Sequence, residues 1–430
     1  MQIPFAKVLC NGNELKYVRQ ALQSGWLTTA GRALEFEKRF AEAVGARRAC
    51  AVNSCTAALH LALEAGGVGP GDKVLVPTLT FTATAEVIRY LGADPVFADV
   101  EYGSGLLTPE IVEEALCRHP DIKAVMVVHF GGQAAEMTVH SPRSTVLSPE
   151  SSGLLAVCRR HNVRVIEDAA HAFPTKLNGR MVGSFGDATC FSFYANKTIT
   201  TGEGGMLATN DDAIHERAKV MRLHGIDRDI WNRFATQGAG WEYDVVAPGF
   251  KYNMPDINAA IGLAQLERAE SLRLDRQRCF EYYLGHLADI EGIDLPAIRG
   301  SLEDHSCHLF WITLKDHGRR TTGHSPQSTV SSQLSVASSR KEGASPRDRL
   351  IERLADAGIG TSVHYKPLHR MTYYRDRYGL KAEDFPNAEK HWRGCLSLPV
   401  YPGLSEPELA YVCETVHRAV SARKTEDERQ

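Results

Sequence analysis

The residues best suited to chemistry lie in the stretch Phe191-Ser192-Phe193-Tyr194-Ala195-Asn196-Lys197-Thr198-Ile199-Thr200-Thr201-Gly202-Glu203-Gly204-Gly205. An apolar, strand-like run from Ala188 to Ala195 leads into one lysine. A threonine- and glycine-rich turn follows, then a second apolar run from Met206 to Ala208. A lysine between buried strands is costly unless its charge is paired or its pKa falls. With a lowered pKa it is a nucleophilic amine, the group that forms Schiff bases with carbonyl compounds. Lys197 is read as that amine; on this stretch alone, a surface lysine at a strand end is the competing reading.

Two other stretches give the lysine a context. Val165-Ile166-Glu167-Asp168-Ala169-Ala170-His171 ends an apolar strand on adjacent carboxylates, at least one of which needs a cationic partner. A protonated heterocyclic nitrogen is such a partner, and pyridoxal phosphate enzymes use an aspartate there to keep the ring an electron sink. The plainer alternative is an aspartate capping the next turn. Asn53-Ser54-Cys55-Thr56-Ala57-Ala58-Leu59 opens a helix with small hydroxylated residues. Free N–H groups and the helix dipole make such an opening a phosphate cradle, though Ser54 or Asn53 also suits a simple N-cap. A phosphate cradle, a strand-end aspartate and a strand-end lysine, in that order over one sheet, form a pyridoxal phosphate constellation.

The elements that must position these groups alternate regularly. Strand 73–76 leads to helix 81–91, strand 96–100 to helix 109–116, and strand 124–129 to helix 153–161 and strand 163–166. Continuous apolar strands separated by helices predict a mostly parallel α/β sheet covered on both faces. Ligands of such sheets sit beyond the carboxyl ends of the strands, where Phe81, Asp168 and Lys197 all fall. Upstream, Leu15, Val18 and Leu22 predict an amphipathic helix over 13–24, and Leu34, Phe36, Phe40 and Val44 a second one. Downstream, a helix over 212–224 precedes a long helix from Ile257 to about Leu287, whose Ala259, Ala260, Gly262 and Ala264 leave room for close packing. A second domain is expected to hold strand 307–314, helix 349–357, strand 360–365 and helix 406–419.

The resulting division is a large α/β domain over 1–255, a connecting helix over 256–289, a smaller α+β domain over 290–423 and a polar tail over 424–430. Ser/Pro-rich residues 138–151 and Ser/Thr-rich residues 319–346 read as insertions without a core of their own, the second disordered. The Gly66–Lys73 run is a turn between helix and strand, not a nucleotide loop. His305-Ser306-Cys307-His308 has metal-ligand residue types, but strand alternation would send neighbours to opposite faces, and no metal is expected. His60, among leucines, is a core or interface histidine.

Composition narrows the function classes. With 430 residues, 43% hydrophobic and 23% charged, the chain is of ordinary globular type, long enough for two domains. A net charge of −3 and a pI near 6.6 supply no field for nucleic acid or anionic membrane. No apolar run approaches a membrane span, the N-terminus lacks a signal peptide's pattern, and ten scattered cysteines suit reduced thiols; a cytoplasmic enzyme is expected.

On these motifs the sequence resembles the DegT/DnrJ/EryC1/StrS family of nucleotide-sugar aminotransferases, from about Gly25 to about Ala419. Ser24-Gly25-Trp26-Leu27-Thr28-Thr29 and Tyr252-Asn253-Met254-Pro255-Asp256-Ile257-Asn258 carry it alongside the three stretches above. The resemblance implies the fold-type I architecture with a seven-stranded-type sheet and a smaller C-terminal domain. It implies that Lys197 binds pyridoxal 5'-phosphate as a Schiff base and Asp168 pairs with the pyridine nitrogen. Phe81 would stack on the ring, His171 would lie at its edge, and Thr56, Ala57 and Ser192 would hold the phosphate. Asn253 would reach the cofactor of a neighbouring subunit, implying a homodimer with shared sites, and Glu203 and His364 would border the sugar pocket. Cys55 stands where many members carry Gly or Ala.

Within the family, Val245–Met254 and Gly358–Tyr365 look most like enzymes that aminate C4 of UDP-linked keto-sugars, with glutamate as donor, for cell-surface polysaccharide or lipopolysaccharide. The alternatives are amination at C3 of a dTDP-linked sugar, a sugar dehydratase or other enzyme using the same cofactor, and a non-catalytic regulatory homologue.

Overall fold

The structure, a computed structural model, describes residues 1–138, 152–227, 243–315 and 345–427. Its centre is a seven-stranded sheet of β1 (Arg48–Val52), β2 (Lys73–Pro77), β3 (Asp94–Ala98), β4 (Ile122–Val128), β5 (Arg164–Asp168), β6 (Ala188–Ser192) and β7 (Gly205–Thr209). The order across the sheet is β1-β7-β6-β5-β4-β2-β3. From β6 to β3 every pairing is parallel, and β7 runs antiparallel to both β6 and β1. The predicted architecture is therefore the observed one.

Side-chain parity explains why the strands are apolar throughout. Leu75, Val125, Val127, Val165, Phe191 and Met206 enter one core, on one face of the sheet. Val74, Val76, Met126, Ile166, Cys190 and Leu207 enter the other. Successive residues of a strand point to opposite faces, so a sheet covered on both sides has no polar register to spare. The same parity separates the two carboxylates that end β5, placing Glu167 on the Val165 face and Asp168 on the Ile166 face.

A third core gathers the C-terminal region around a small sheet of β8 (Ile293–Asp294), β9 (Phe310–Leu314) and β10 (Cys395–Leu398). Ile3 belongs to this core and bridges to Ile359, so the first residues of the chain pack with its C-terminal lobe.

Several expectations are corrected. The helix expected over 256–289 is two helices, Asp256–Leu266 and Ala269–Leu287, parted where Arg268 leaves helical geometry at φ −117°, ψ 6° and turns its guanidinium to Glu14 at 3.6 Å. Residues 360–365 form no strand. Ser362 bridges singly to Ser397, and Ile359 just upstream bridges to Ile3, so the segment has no continuous partner. The strand expected over 307–314 begins only at Phe310, because Cys307 sits at φ +52° and Ser306 and Leu309 bond to Gly132 and Gly131 instead. The tail expected from 424 continues the helix Glu406–Asp427. The first helix, Glu14–Ser24, faces inward with Glu14 and Ala21, leaving Leu15 73% and Leu22 54% exposed. Residues 139–151 and 319–344 of the two proposed insertions lie outside the described residues, while Ser345 caps the helix Pro346–Asp356.

The small residues after Asp256 do admit a close neighbour. A Cβ on Gly262 would lie 2.7 Å from two ring atoms of Phe36 and 2.9 Å from Thr201 Cγ2. Phe36 is fully buried and cannot retreat. Gly262→Ala would gain about 1 kcal/mol of helix propensity, against about 1–3 kcal/mol for overpacking a close-packed core. The clash is the larger effect. We expect urea unfolding to show a loss of about 1–2 kcal/mol, and a variant as stable as the parent would contradict this packing.

Candidate active site

Lys197 lies in the turn after β6. Its N–H bonds to Tyr194 O at 3.0 Å, and the threonines that follow shape the turn. Thr200 Oγ1 donates to Phe193 O at 2.9 Å and accepts from Gly202 N–H at 2.9 Å, while Thr201 Oγ1 donates to Glu203 O at 2.6 Å. Asn258 Nδ2 ties the far side, donating to Thr201 O and Glu203 O. Beneath the turn, Arg276 of the helix Ala269–Leu287 donates to Asn196 O at 3.1 Å, to Lys197 O at 3.5 Å and to Val400 O at 3.0 Å. The lysine thus has a rigid backbone built by both lobes.

Its amine is held out of water. Burial pushes Lys197 down from 10.5 to about 8, with the Arg276 guanidinium acting in the same direction and Cys55 and Asp168 opposing it. Arg276 itself is pushed down to about 10 by burial. Desolvation outweighs the attraction of the nearby acids, which is the condition for a nucleophilic lysine.

Asp168 is 5% exposed and accepts from Thr84 Oγ1 at 2.8 Å and Ala170 N–H at 3.1 Å. Burial raises its pKa, the two hydrogen bonds and Lys197 pulling the other way. Among the described residues it makes no ion pair. Glu167, the other carboxylate, is satisfied structurally. Gly186 N–H and Thr189 Oγ1 donate to it at 2.7 Å each. His129, whose Nδ1 accepts from Ala135, gives its Nε2–H at 2.9 Å. Of the pair, only Asp168 still calls for a cation.

The remaining expected residues fall into two groups. His171 is at the site: its Nδ1 accepts from Gly131 N–H at 3.3 Å and its Nε2 meets Tyr365 Oη at 3.0 Å. Phe81 is 56% exposed, with its ring 5.8 Å from that of Tyr365, so much of its surface is free to stack. Ser192 ends β6 half-buried, its Oγ accepting from Tyr194 N–H at 3.3 Å. His364 is near enough to Lys197 to feel its charge, and burial pushes it to about 3; its Nδ1 meets Ser397 Oγ at 2.8 Å. Among the described residues, the side chains of Asn253 and Glu203 make no hydrogen bond with these groups. Asn253 Nδ2 donates to Thr29 Oγ1 at 2.7 Å, and Glu203 is exposed in its turn.

At the helix Cys55–Ala65 both readings of its opening hold together. Ser54 caps it by accepting from Ala57 N–H at 3.1 Å, so that N–H is engaged. The N–H groups of Cys55 and Thr56, in the first turn, have no carbonyl one turn earlier and stay available to an anion. A Cβ on Gly205 would lie 2.4 Å from Ser54 C and 2.6 Å from Cys55 N, so glycine alone lets β7 come this close to the opening.

A cationic ring nitrogen for Asp168, a phosphate for the helix opening, an aldehyde for the Lys197 amine and an aromatic face for Phe81 describe one group, pyridoxal phosphate. The donor set fits it. The comparisons then decide the family, which matches over residues 10–325 and 314–417. The chain belongs to the DegT/DnrJ/EryC1/StrS aminotransferase family. It is 39% identical over 419 residues to the spore coat polysaccharide biosynthesis protein SpsC of Bacillus subtilis, covering 97% of each chain. Among solved structures it is similar to the PMP-form of the Streptococcus pneumoniae sugar aminotransferase Spr1654 (29% identity, TM-score 0.82, all of both chains). It is also similar to the aminotransferase TlmJ of Streptoalloteichus hindustanus (30% identity, TM-score 0.80, 98% of this chain and all of that one).

Sequence reasoning missed four residues of this aminotransferase's site: Thr84, Arg276, His308 and Tyr365. Their signal was weak, since each reaches the site through a contact between segments remote in sequence. The sequence places His308 only among metal-type residues, yet its Nε2 lies 3.5 Å from Lys197 Nζ.

Asp168→Asn separates binding from stability. A buried carboxylate whose folded pKa is raised destabilises the cofactor-free chain at neutral pH, a penalty relieved as pH falls through that pKa. We expect the variant's melting temperature without cofactor to equal or exceed the parent's at pH 7. Its pyridoxal phosphate affinity should fall about tenfold or more, as for loss of a charged hydrogen bond. Parental affinity in the variant would contradict the pairing assigned to Asp168.

Proposed function

We propose that this aminotransferase moves an amino group from glutamate to C4 of a UDP-linked 4-keto-hexose or 4-keto-pentose, for cell-surface amino sugars. The observation that carries the reading is the buried Lys197 amine beside Asp168, whose carboxylate makes no ion pair among the described residues. The name of SpsC, spore coat polysaccharide biosynthesis, supports a surface polysaccharide as destination. The segments Val245–Met254 and Gly358–Tyr365 support C4 of a UDP-sugar.

When bound, pyridoxal phosphate supplies a sink for carbanion charge. The chain's residues do the rest. Asp168, held by Thr84 and Ala170, would pair with the ring nitrogen and keep it protonated. Thr56 and Ser192 would hold the phosphate, beside Ala57, whose N–H is given to Ser54; Phe81 would cover a ring face and His171 would lie at the ring's edge. Lys197 Nζ takes a proton from the donor's α-carbon and returns one, base then acid, for which a pKa near 8 is well placed. Glu203 and His364 border the sugar. Donor and acceptor use one site in turn, which gives ping-pong kinetics.

Asn253 is proposed to serve the cofactor of a second subunit in a homodimer. Leu15, Leu22, Leu27, Val245 and Val246 are exposed and leave apolar area available to such a contact. All ten cysteines are free, as suits a reducing cytoplasm. Among the described residues no helix is long and apolar enough to cross a membrane.

The test is incubation with nitrogen-labelled glutamate and a panel of UDP- and dTDP-linked keto-sugars, read by product mass. We expect label in a 4-amino UDP-sugar; label only in a 3-amino dTDP-sugar would contradict the C4 reading. Lys197→Ala should keep cofactor association through the phosphate cradle and lose turnover by on the order of 10²–10⁴ or more. Normal turnover in that variant would end the assignment of Lys197.

A further inference from the structure

His308 carries a nitrogen left without a partner. Its ring is 5% exposed and packs on His171, with centroids 4.5 Å apart and planes inclined by 38°. Nε2 lies 3.5 Å from Lys197 Nζ, while Nδ1 is buried with no hydrogen-bond partner among the described residues. The titratable and charged groups facing the ring are Lys197, His171, Arg276 and His364. Burial and these groups hold the imidazole well below its ordinary range, so it is neutral.

A neutral imidazole has one N–H and one bare lone pair. If Nδ1 held the proton, a buried N–H would have no acceptor, a rarer and costlier arrangement than an under-used lone pair. With the proton on Nε2, that N–H is directed at Lys197 Nζ, and what it meets must offer a lone pair. Only the neutral amine does, since an ammonium has none. His171 cannot take the proton's place as acceptor. Its Nδ1 is already used by Gly131 N–H, so its Nε2–H is the donor to Tyr365 Oη.

We infer that His308 donates its Nε2–H to the neutral amine of Lys197 and is the positioning residue that holds this amine as a free base. The inference rests on the reading of Lys197 as the reacting amine. The contact is long at 3.5 Å, which lets the lone pair be given up when the amine attacks or takes a proton. His308 therefore acts through Lys197 whenever that amine is free, and it needs no proton of its own to change hands. A histidine accepting from a lysine ammonium would have the opposite effect, stabilising the charged form. The sign of the effect on Lys197 separates the two.

The test uses the full chain freed of cofactor and follows methylation of Lys197 by formaldehyde and cyanoborohydride, read by peptide mass, from about pH 6 to about pH 10. The parent should react with a midpoint near 8. His308→Phe keeps a ring against His171 but removes both nitrogens. Its midpoint should rise by about half a unit or more, slowing methylation at neutral pH roughly threefold. His308→Gln, which keeps an N–H donor, should restore the parental midpoint, and His308→Leu replaces the Phe variant if thermal melting shows that one unfolded. An unchanged or lowered midpoint on losing the nitrogens, or a Gln variant shifted as far as Phe, overturns the role of His308 alone. A parental midpoint typical of an ordinary lysine would instead overturn the reading of Lys197.

Discussion

An unpaired ammonium is poorly tolerated where Lys197 sits, and that single constraint organises the molecule. At a pKa near 8 about a tenth of the amine is neutral at pH 7, against fewer than about one molecule in a thousand for a lysine at 10.5. Burial supplies that shift even though Asp168 and Cys55 pull the other way. Asp168 meets the complementary problem, a carboxylate buried with two hydrogen bonds and, among the described residues, no ion pair. Asp168 ends β5 and Lys197 lies in the turn after the neighbouring parallel strand β6, and one bound group with an aldehyde and a basic ring nitrogen relieves both.

The architecture shows how such an arrangement is kept. Parity along β5 sends Glu167 into a closed hydrogen-bond network and puts Asp168, held by Thr84 and Ala170, on the other face. Thr200 and Thr201 use their hydroxyls to fix the turn that carries the lysine, and Arg276 clamps the same turn from the second lobe. His369, buried between Thr78 Oγ1 at 2.8 Å and Glu389 Oε1 at 2.7 Å, likewise joins the loop that carries Phe81 to the segment that follows Tyr365. The site is therefore a product of both lobes, and a shift between them would move Phe81, Tyr365 and Lys197 relative to one another.

The order of strands and helices, Lys197, Asp168 and the helix opening were legible because each depends on local patterns: apolar runs of strand length, turn residues and residue types at strand ends. What was not legible depends on tertiary contact. Arg276 lies in the polar run Arg273-Leu274-Asp275-Arg276-Gln277-Arg278 and looks like a solvated helix surface, yet it is buried beneath the lysine. Strand alternation misplaces His308, because Cys307 takes a left-handed conformation and the strand begins two residues after His308. Leu15 and Leu22 have the right spacing for a core-facing stripe but lie outside, while Glu14 is buried by its bonds to Gly12 and Gln265. Periodicity identified the amphipathic helix there, but which face the chain would cover is decided by partners remote in sequence.

The central claim is that Lys197, of all the lysines, is the amine that receives the cofactor's aldehyde. Adding pyridoxal phosphate to the full chain, reducing with borohydride and mapping the added mass by peptide tests it directly. The account predicts one pyridoxyl group per chain, on Lys197, and its loss in Asp168→Ala only to the extent that cofactor affinity falls. A stable label on another lysine with Lys197 unmodified would contradict it.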